Sequence, residues 1–145
     1  MYDERLTAPR SWWLLPVAAG LSIGLILFKF GPVPGVIGLV VGLVAGAVGL
    51  SSYGSARIRV VQGSLVAGQA RIPVTALGAA EPLDAAAAVA WRSVKADPRA
   101  FMLLRSYVPT ALRVQVTDPA DPTPYLYLST RDPQALAAAI SAARD

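Results

Sequence analysis

WWLLPVAAGLSIGLILFKFGPVPGVIGLVVGLVAGAVGL, residues 12–50, is the stretch of sequence that decides the fold of this chain. It holds two apolar runs, residues 12–28 and 33–50, joined by the link Lys29-Phe30-Gly31-Pro32. Neither run contains a charged residue, and each reaches the length of about 17–20 residues that crosses a hydrocarbon core ~30 Å thick. A four-residue link cannot recross a bilayer, so the sequence predicts a tight antiparallel hairpin of two transmembrane helices.

A cleaved signal peptide is the alternative interpretation of the first run. The run ends in Phe28-Lys29-Phe30 without a small-x-small cleavage site, and a second apolar run follows at once. Trp12 and Trp13 at its start are typical of the membrane interface, where indole rings lie at the level of the headgroups. These features favour a permanent anchor.

The charges that flank the two runs predict the orientation of the hairpin. Arg5 and Arg10 precede the first run, Arg57 and Arg59 follow the second, and only Lys29 lies in the link. Basic residues are enriched on the cytoplasmic side of membrane helices. We therefore expect a multi-pass protein of the cell membrane with both termini in the cytoplasm, and the long side chain of Lys29 can reach outward to the far headgroups.

Glycines recur in both runs at spacings of three and four, which places them on one face of each helix. They are Gly20 and Gly24 in the first run, and Gly35, Gly38, Gly42, Gly46 and Gly49 in the second. Such faces let two helix backbones approach closely in lipid. The favoured interpretation is that they pack the hairpin against itself, and the alternative is a contact with a second copy or with another membrane protein.

The composition limits the chemistry that the chain can perform. Of its 145 residues about 40 belong to the hairpin, which leaves one domain of about 90 residues. There is no cysteine and no histidine, so a disulfide framework, a thiolate nucleophile, a histidine base and the commonest metal ligands are missing. We expect no metal and no cofactor. The net charge of +4 is modest, and its place beside a membrane does not call for a nucleic-acid partner.

The sequence after residue 56 predicts short β-strands. The expected strands are residues 57–61, 64–66, 69–72, 74–77, 112–117 and 125–130, with a proline-rich loop at 118–124 between the last two. Residues 81–108 stay open, because the alanine-rich segment 84–91 fits a helix or a strand and Asp97 fits a turn. The pattern predicts an antiparallel meander.

A helix closes the chain. Asp132 is a favoured N-cap and Pro133 suits the first helical position, where its missing N–H would be unpaired anyway. An apolar stripe then follows at helical spacing, formed by Leu136, Ala139, Ile140 and Ala143. We therefore predict a membrane hairpin plus an α+β domain: a small antiparallel sheet or partial barrel closed by a C-terminal amphipathic helix, as in pleckstrin-homology-like domains. The predicted segments are 1–11 (cytoplasmic), 12–50 (hairpin, with helices 12–30 and 33–50) and 51–145 (cytoplasmic domain).

Basic side chains supply the candidate binding residues. Arg57 and Arg59 share one face of a strand close to the bilayer, and the segment from residue 92 to residue 105 is the most basic part of the domain. The candidates for binding lipid headgroups or a partner are Arg57, Arg59, Arg99 and Arg105. A solvated, topology-setting face is the plainer interpretation of the first two.

Asp118 and Asp121 are the acidic pair that a metal site would need. Each directly precedes a proline within a turn-rich segment, and carboxylates there usually bond to their own backbone. We therefore expect turn formation and no metal site.

Three segments carry a resemblance to a known family. They are residues 2–6 (YDERL) with Pro9 and Trp12-Trp13, residues 96–101 (ADPRAF) and residues 118–133 (DPADPTPYLYLSTRDP). Together they resemble an uncharacterised family of small actinobacterial membrane proteins, over nearly the whole chain. The resemblance implies a helix pair followed by a pleckstrin-homology-like cytoplasmic domain, and it implies no activity.

The leading functional hypothesis is a non-enzymatic membrane protein whose cytoplasmic domain binds a protein partner or anionic lipids. The alternative is a small accessory subunit of a larger membrane complex, which docks through the glycine face. An enzyme acting on a phosphorylated or lipid substrate through arginines and aspartates is disfavoured, because no spacing pairs a nucleophile with a base.

Overall fold

A computed structural model describes residues 2–145, which divide into two compact units. The sheet unit consists of residues 2–6 together with Arg57–Asp145, and the helix unit is Thr7–Ala56. The chain therefore begins in the sheet unit, leaves it for fifty residues and returns to it at Arg57.

The helices and strands follow one another in a mixed α+β order. In chain order they are β1 (Tyr2–Arg5), α1 (Leu14–Phe28), α2 (Pro32–Tyr53), β2 (Arg57–Val61), β3 (Ser64–Ala67), β4 (Ala70–Pro73), β5 (Leu77–Leu83), α3 (Ala85–Trp91), β6 (Phe101–Leu103), β7 (Ala111–Val116), β8 (Tyr125–Ser129) and α4 (Pro133–Ala142). Short 3-10 turns lie at Arg10–Trp13 and Val74–Ala76.

The helix unit contains the predicted pair of apolar helices. The segments Arg10–Phe28 and Pro32–Tyr53 are each long and apolar enough to cross a membrane. Gly31 turns the chain between them with a φ of 127°, a conformation that side chains rarely adopt, and Pro32 then starts α2. Only 11% of the first apolar segment and 22% of the second are buried, so neither helix has the surroundings of a core helix.

The first sheet has the strand order β1-β2-β3-β4, and every neighbouring pair is antiparallel. Its strands alternate: Ile58, Val60, Leu65 and Ala67 are buried on one face. The prediction for 57–61 is confirmed, and β3 and β4 lie within one residue of their predicted bounds. β1 was not predicted.

The second sheet has the order β5-β7-β8-β6 and differs from the predicted meander. β6 runs parallel to β8, because the chain crosses from β5 to the opposite edge of the sheet through α3. The described residues therefore form two open four-stranded sheets and no closed barrel. The pleckstrin-homology-like arrangement stays a prediction.

The structure decides two local questions, the strand predicted at residues 74–77 and the open segment at residues 84–91. The strand expected at 74–77 is wrong: Pro73 ends β4, Val74–Ala76 form a 3-10 turn, and β5 begins at Leu77. Residues 85–91 are helical, because the Asp84 carboxylate caps α3 by accepting the N–H of Ala87 at 2.8 Å.

The predicted C-terminal helix and its apolar stripe are confirmed. The Asp132 carboxylate accepts the N–H of Ala135 at 2.9 Å, and Pro133 occupies the first turn. Leu136 and Ile140 are fully buried, and α4 lies against β5, β7 and β1. The helix is thus part of the core of the sheet unit.

Candidate functional site

Six glycines form the contact between the two helices of the hairpin. A Cβ added at any of them would meet an atom of the other helix within 3.2 Å: Gly20, Gly24, Gly35, Gly38, Gly42 and Gly46. At Gly42 that Cβ would lie 2.7 Å from the Cα of Gly20 and 3.1 Å from the carbonyl oxygen of Ala19. The backbones of α1 and α2 are therefore in direct contact at this level.

Gly49 differs from the other six. A Cβ added there would meet no atom within 4 Å. It lines an apolar groove of about 440 Å³ together with Trp12, Pro16 and Tyr53, and the rings of Trp12 and Tyr53 stack with centroids 6.2 Å apart. Within the predicted glycine set, only Gly49 has room for a Cβ with no atom within 4 Å.

Four arginines lie on the exposed face of the first sheet, which we call the basic face. The register places Asp3, Arg59, Val66 and Arg71 in one row across the four strands, and Arg5 lies opposite Arg57 in the neighbouring row. The four arginines, Arg5, Arg57, Arg59 and Arg71, are exposed, and Val66 is half-buried between Arg59 and Arg71. The structure therefore brings together the predicted Arg57 and Arg59, and it adds Arg5 and Arg71.

The basic face carries one acidic residue, Asp3. Asp3 pairs with Arg57 at 3.0 Å, diagonally across the strands. Among residues 2–145, no ion pair involves Arg5, Arg59 or Arg71. The direct opposition of Arg5 and Arg57 is unfavourable, since like charges at opposed sheet positions repel. The fold thus retains an excess of positive charge at some cost in stability.

Arg99 and Arg105, the other two predicted binding residues, lie outside the basic face. The Arg99 guanidinium pairs with Asp97 at 3.1 Å, and this hydrogen bond holds the pKa of Asp97 below its usual value. Arg105 donates from its backbone N–H to the Ser129 hydroxyl and from its side chain to the Leu104 carbonyl. Both arginines therefore make local contacts near the ends of β6 and β8.

The two aspartates considered as a metal pair form turns. The Asp118 carboxylate accepts the N–H of Ala120 at 2.9 Å, and the Asp121 carboxylate accepts that of Thr123 at 2.9 Å. The second bond lowers the pKa of Asp121. Within residues 2–145 no group of three or more acidic side chains is placed to hold a metal ion.

A hydrogen-bonded network attaches β1 to the segment that starts α4. The Glu4 carboxylate accepts from the Tyr2 hydroxyl at 2.8 Å, from the Thr130 hydroxyl at 2.5 Å and from the Arg131 backbone N–H at 2.9 Å. Thr130 is fully buried, and burial raises the pKa of the Tyr2 phenol to about 12. The Tyr107 hydroxyl bonds to the Leu6 carbonyl and holds the end of the same strand.

A cation–aromatic cluster lies between α3 and the second sheet. The Arg113 guanidinium lies 4.3 Å from the Trp91 ring centroid and pairs with Glu81, and Trp91 meets Tyr125 edge to face at 5.4 Å. The Lys95 ammonium group lies over the same indole ring, with Nζ 5.3 Å from the ring centroid. Sequence reasoning missed this cluster, because its members come from four separate elements and the loop after α3. Its close packing indicates a structural role.

Comparison with known proteins assigns the chain to a family. The family model described as "Protein of unknown function (DUF3093)" matches residues 1–140. The chain belongs to the DUF3093 family. This confirms the predicted membership of an uncharacterised family over nearly the whole chain. No curated protein and no solved structure matches it.

The structure explains the segments on which the resemblance was based. Glu4 of the opening segment bonds to Thr130 and Arg131 of the last one. The backbone N–H of Asp97, in the middle segment, donates to the Tyr125 hydroxyl at 3.0 Å. In this DUF3093 protein the opening and middle segments are therefore each joined to the last segment by hydrogen bonds within the sheet unit.

The Glu4 network gives a first testable prediction. We expect Glu4→Ala to lower the free energy of unfolding of the sheet unit by about 1–3 kcal/mol, because the buried Thr130 hydroxyl and the half-buried Tyr2 hydroxyl lose a charged acceptor. The measurement is amide hydrogen exchange of β1 and β2 in the full chain. The control is Asp3→Ala, which removes only an exposed ion pair and is expected to change stability by less than about 1 kcal/mol. Equal losses in both variants would contradict this role of Glu4.

Proposed function

We propose that this protein is a non-enzymatic integral membrane protein, anchored by its helical hairpin, whose sheet unit is an interaction module at the membrane surface. The observation that carries the proposal is the distribution of side chains in the hairpin, with small residues inside and large apolar residues outside. Glycines fill the contact between the helices, while Leu25, Phe28 and Val33 are more than half exposed. Such a surface is unfavourable in water and suits lipid, where small residues pack helices together.

The pairing of β1 with β2 supports a two-span topology. β1 precedes α1 and β2 follows α2, yet the two strands are neighbours in one sheet, with Asp3 opposite Arg59. Both strands must therefore be on the same side of any membrane that the helices cross. The arginines beside both helices, against a single Lys29 in the link, favour the cytoplasm as that side.

The use of the acidic side chains supports a binding module over an enzyme. Asp84 and Asp132 cap helices, Asp118 and Asp121 form turns, and Asp97 pairs with Arg99. In the described residues these carboxylates serve the fold and do not converge on a shared cavity with a nucleophile. The open charged surface is the basic face.

Reporter fusions test this topology. We expect a green fluorescent protein fused to either end to fluoresce and alkaline phosphatase fused to either end to be inactive, because both termini stay in the cytoplasm. The protein should also remain in the membrane pellet after alkaline carbonate extraction. An active phosphatase at the C-terminus, or release by carbonate, would contradict the proposal.

A second candidate function is an accessory subunit of a larger membrane complex that docks through the groove at Gly49. Six of the seven glycines are already in contact within the hairpin, whereas a Cβ added at Gly49 would meet no atom within 4 Å. Stoichiometric co-purification with a multi-pass protein, abolished by Gly49→Leu, would favour this function. Purification of the intact chain without such a protein would favour the membrane-surface module.

A further inference from the structure

We infer that the basic face binds the phosphate groups of anionic lipid headgroups in the bilayer that holds the hairpin. The inference rests on the proposed function and names the ligand of its open charged surface. The ligand is a lipid of the same membrane, recognised through Arg5, Arg57, Arg59 and Arg71.

The charge of the face is complementary to that ligand. Four exposed arginines share it with one acidic residue, and the single pair Arg57–Asp3 leaves a local excess of three positive charges. A guanidinium presents a planar fork of N–H donors that matches the oxygens of a phosphate. Juxtamembrane basic clusters are attracted by the negative surface of a cytoplasmic leaflet.

The spacing of the arginines suits a surface of several headgroups better than one small anion. Arg59 and Arg71 are two strands apart, so their Cα atoms are separated by about 10 Å, and Val66 lies between them. Arg57 and Arg59 are two residues apart on one strand, a distance of about 7 Å. Guanidinium groups spread over this area around an apolar residue can each meet a different phosphate.

The covalent connection limits how far Arg57 can lie from the end of α2. Four Cα–Cα steps join Tyr53, the last residue of α2, to Arg57, which limits their separation to about 15 Å. Arg5 is likewise five residues from Arg10, where the first apolar segment begins. Tethering at this distance gives the arginines a high effective concentration of headgroups.

An acidic protein partner is less well matched by the same surface. The cores of protein interfaces are depleted in charge and enriched in aromatic residues. The basic face has arginines at most of its exposed positions, and its one central apolar residue is Val66. The observations therefore favour lipid headgroups.

The test uses the full chain in nanodiscs. Because the chain has no native cysteine, a single introduced cysteine can be labelled specifically. Ser64 lies on the same face as Val66, so a fluorophore on Ser64→Cys reports contact with lipids that carry a nitroxide on the headgroup. In phosphatidylcholine nanodiscs we expect weak quenching. With about one third phosphatidylglycerol we expect quenching to rise about two-fold or more, and to fall again in ~0.5 M salt.

Matched variants separate this site from general surface charge. Arg59→Gln with Arg71→Gln should reduce the quenching to the level seen in neutral nanodiscs, whereas Lys95→Gln with Arg99→Gln, which removes two exposed charges elsewhere, should leave it unchanged. Quenching that does not rise with anionic lipid, or that falls equally in both double variants, would overturn the inference. Salt-sensitive capture of an acidic protein that needs Arg59 and Arg71, without any response to phosphatidylglycerol, would overturn it as well. In each case carbonate extraction still reports separately whether the hairpin is inserted.

Discussion

Leu136→Asp is expected to unfold the sheet unit while the hairpin stays in the membrane. Leu136 is fully buried on the inner face of α4. Loss of a buried leucine side chain costs about 2–5 kcal/mol, and a buried carboxylate without a partner adds several more or takes up a proton. A domain of this size has a total stability on the order of 5–15 kcal/mol. The substitution therefore removes most or all of it.

Amide hydrogen exchange of the full chain in nanodiscs measures this effect. We expect protection in β2 and β8 to be lost in Leu136→Asp, while the protein stays resistant to carbonate extraction. The matched control is Ala138→Asp, at an exposed position of the same helix, which should keep nearly all protection. Full protection in Leu136→Asp would show that α4 is a surface appendage and not part of the core.

Gly42→Leu is expected to force the two helices of the hairpin apart. A Cβ at this position would lie 2.7 Å from the Cα of Gly20, and backbone cannot move aside as a flexible side chain can. Helices that meet through larger side chains keep interaxial distances of about 8–10 Å. Insertion itself should persist, because a leucine makes α2 more apolar.

Spin labels at two outward positions, Val17→Cys and Val48→Cys, measure the separation of the helices in a chain with no native cysteine. We expect the distance distribution to shift to larger values or to broaden in Gly42→Leu. Gly49→Leu is the matched control, since a Cβ added there meets no neighbour within 4 Å. An unchanged distribution in Gly42→Leu would contradict the close backbone contact.

The hairpin and the C-terminal helix were predictable because their signals are local. Residues 12–50 carry one charge, the glycines recur at helical spacing, and Asp132-Pro133 marks a helix start. Short-range hydrogen bonds and a single apolar stripe suffice to form such elements. The alternation at 57–61 was equally clear, and its prediction is confirmed.

β1 and the full basic face were not predictable by the same reasoning. The sequence of β1, Tyr2–Arg5, is polar, and its pairing partner lies more than fifty residues away, beyond the hairpin. Arg71 joins Arg59 on one face only through the register of three strands. Nothing in the local sequence of either arginine reports that register.

The second sheet shows a similar limit. β6 has three residues and lies parallel to β8, an arrangement that depends on the crossover through α3. Short strands carry little alternation, so residues 81–108 gave no decisive pattern. The contribution of β1 also means that residues 57–145 alone would lack a strand of the first sheet, which is why each experiment uses the full chain.

Labelling of single cysteines tests the central claim, a membrane-spanning hairpin with the sheet unit on the cytoplasmic side. The exposed positions Lys29, Gln69 and Gln134 are each replaced by cysteine in the otherwise cysteine-free chain, and intact cells are treated with a membrane-impermeant maleimide. We predict labelling of Lys29→Cys in intact cells, and labelling of Gln69→Cys and Gln134→Cys only after the membrane is permeabilised. Labelling of Gln69→Cys from outside intact cells, with Lys29→Cys protected, would contradict the account.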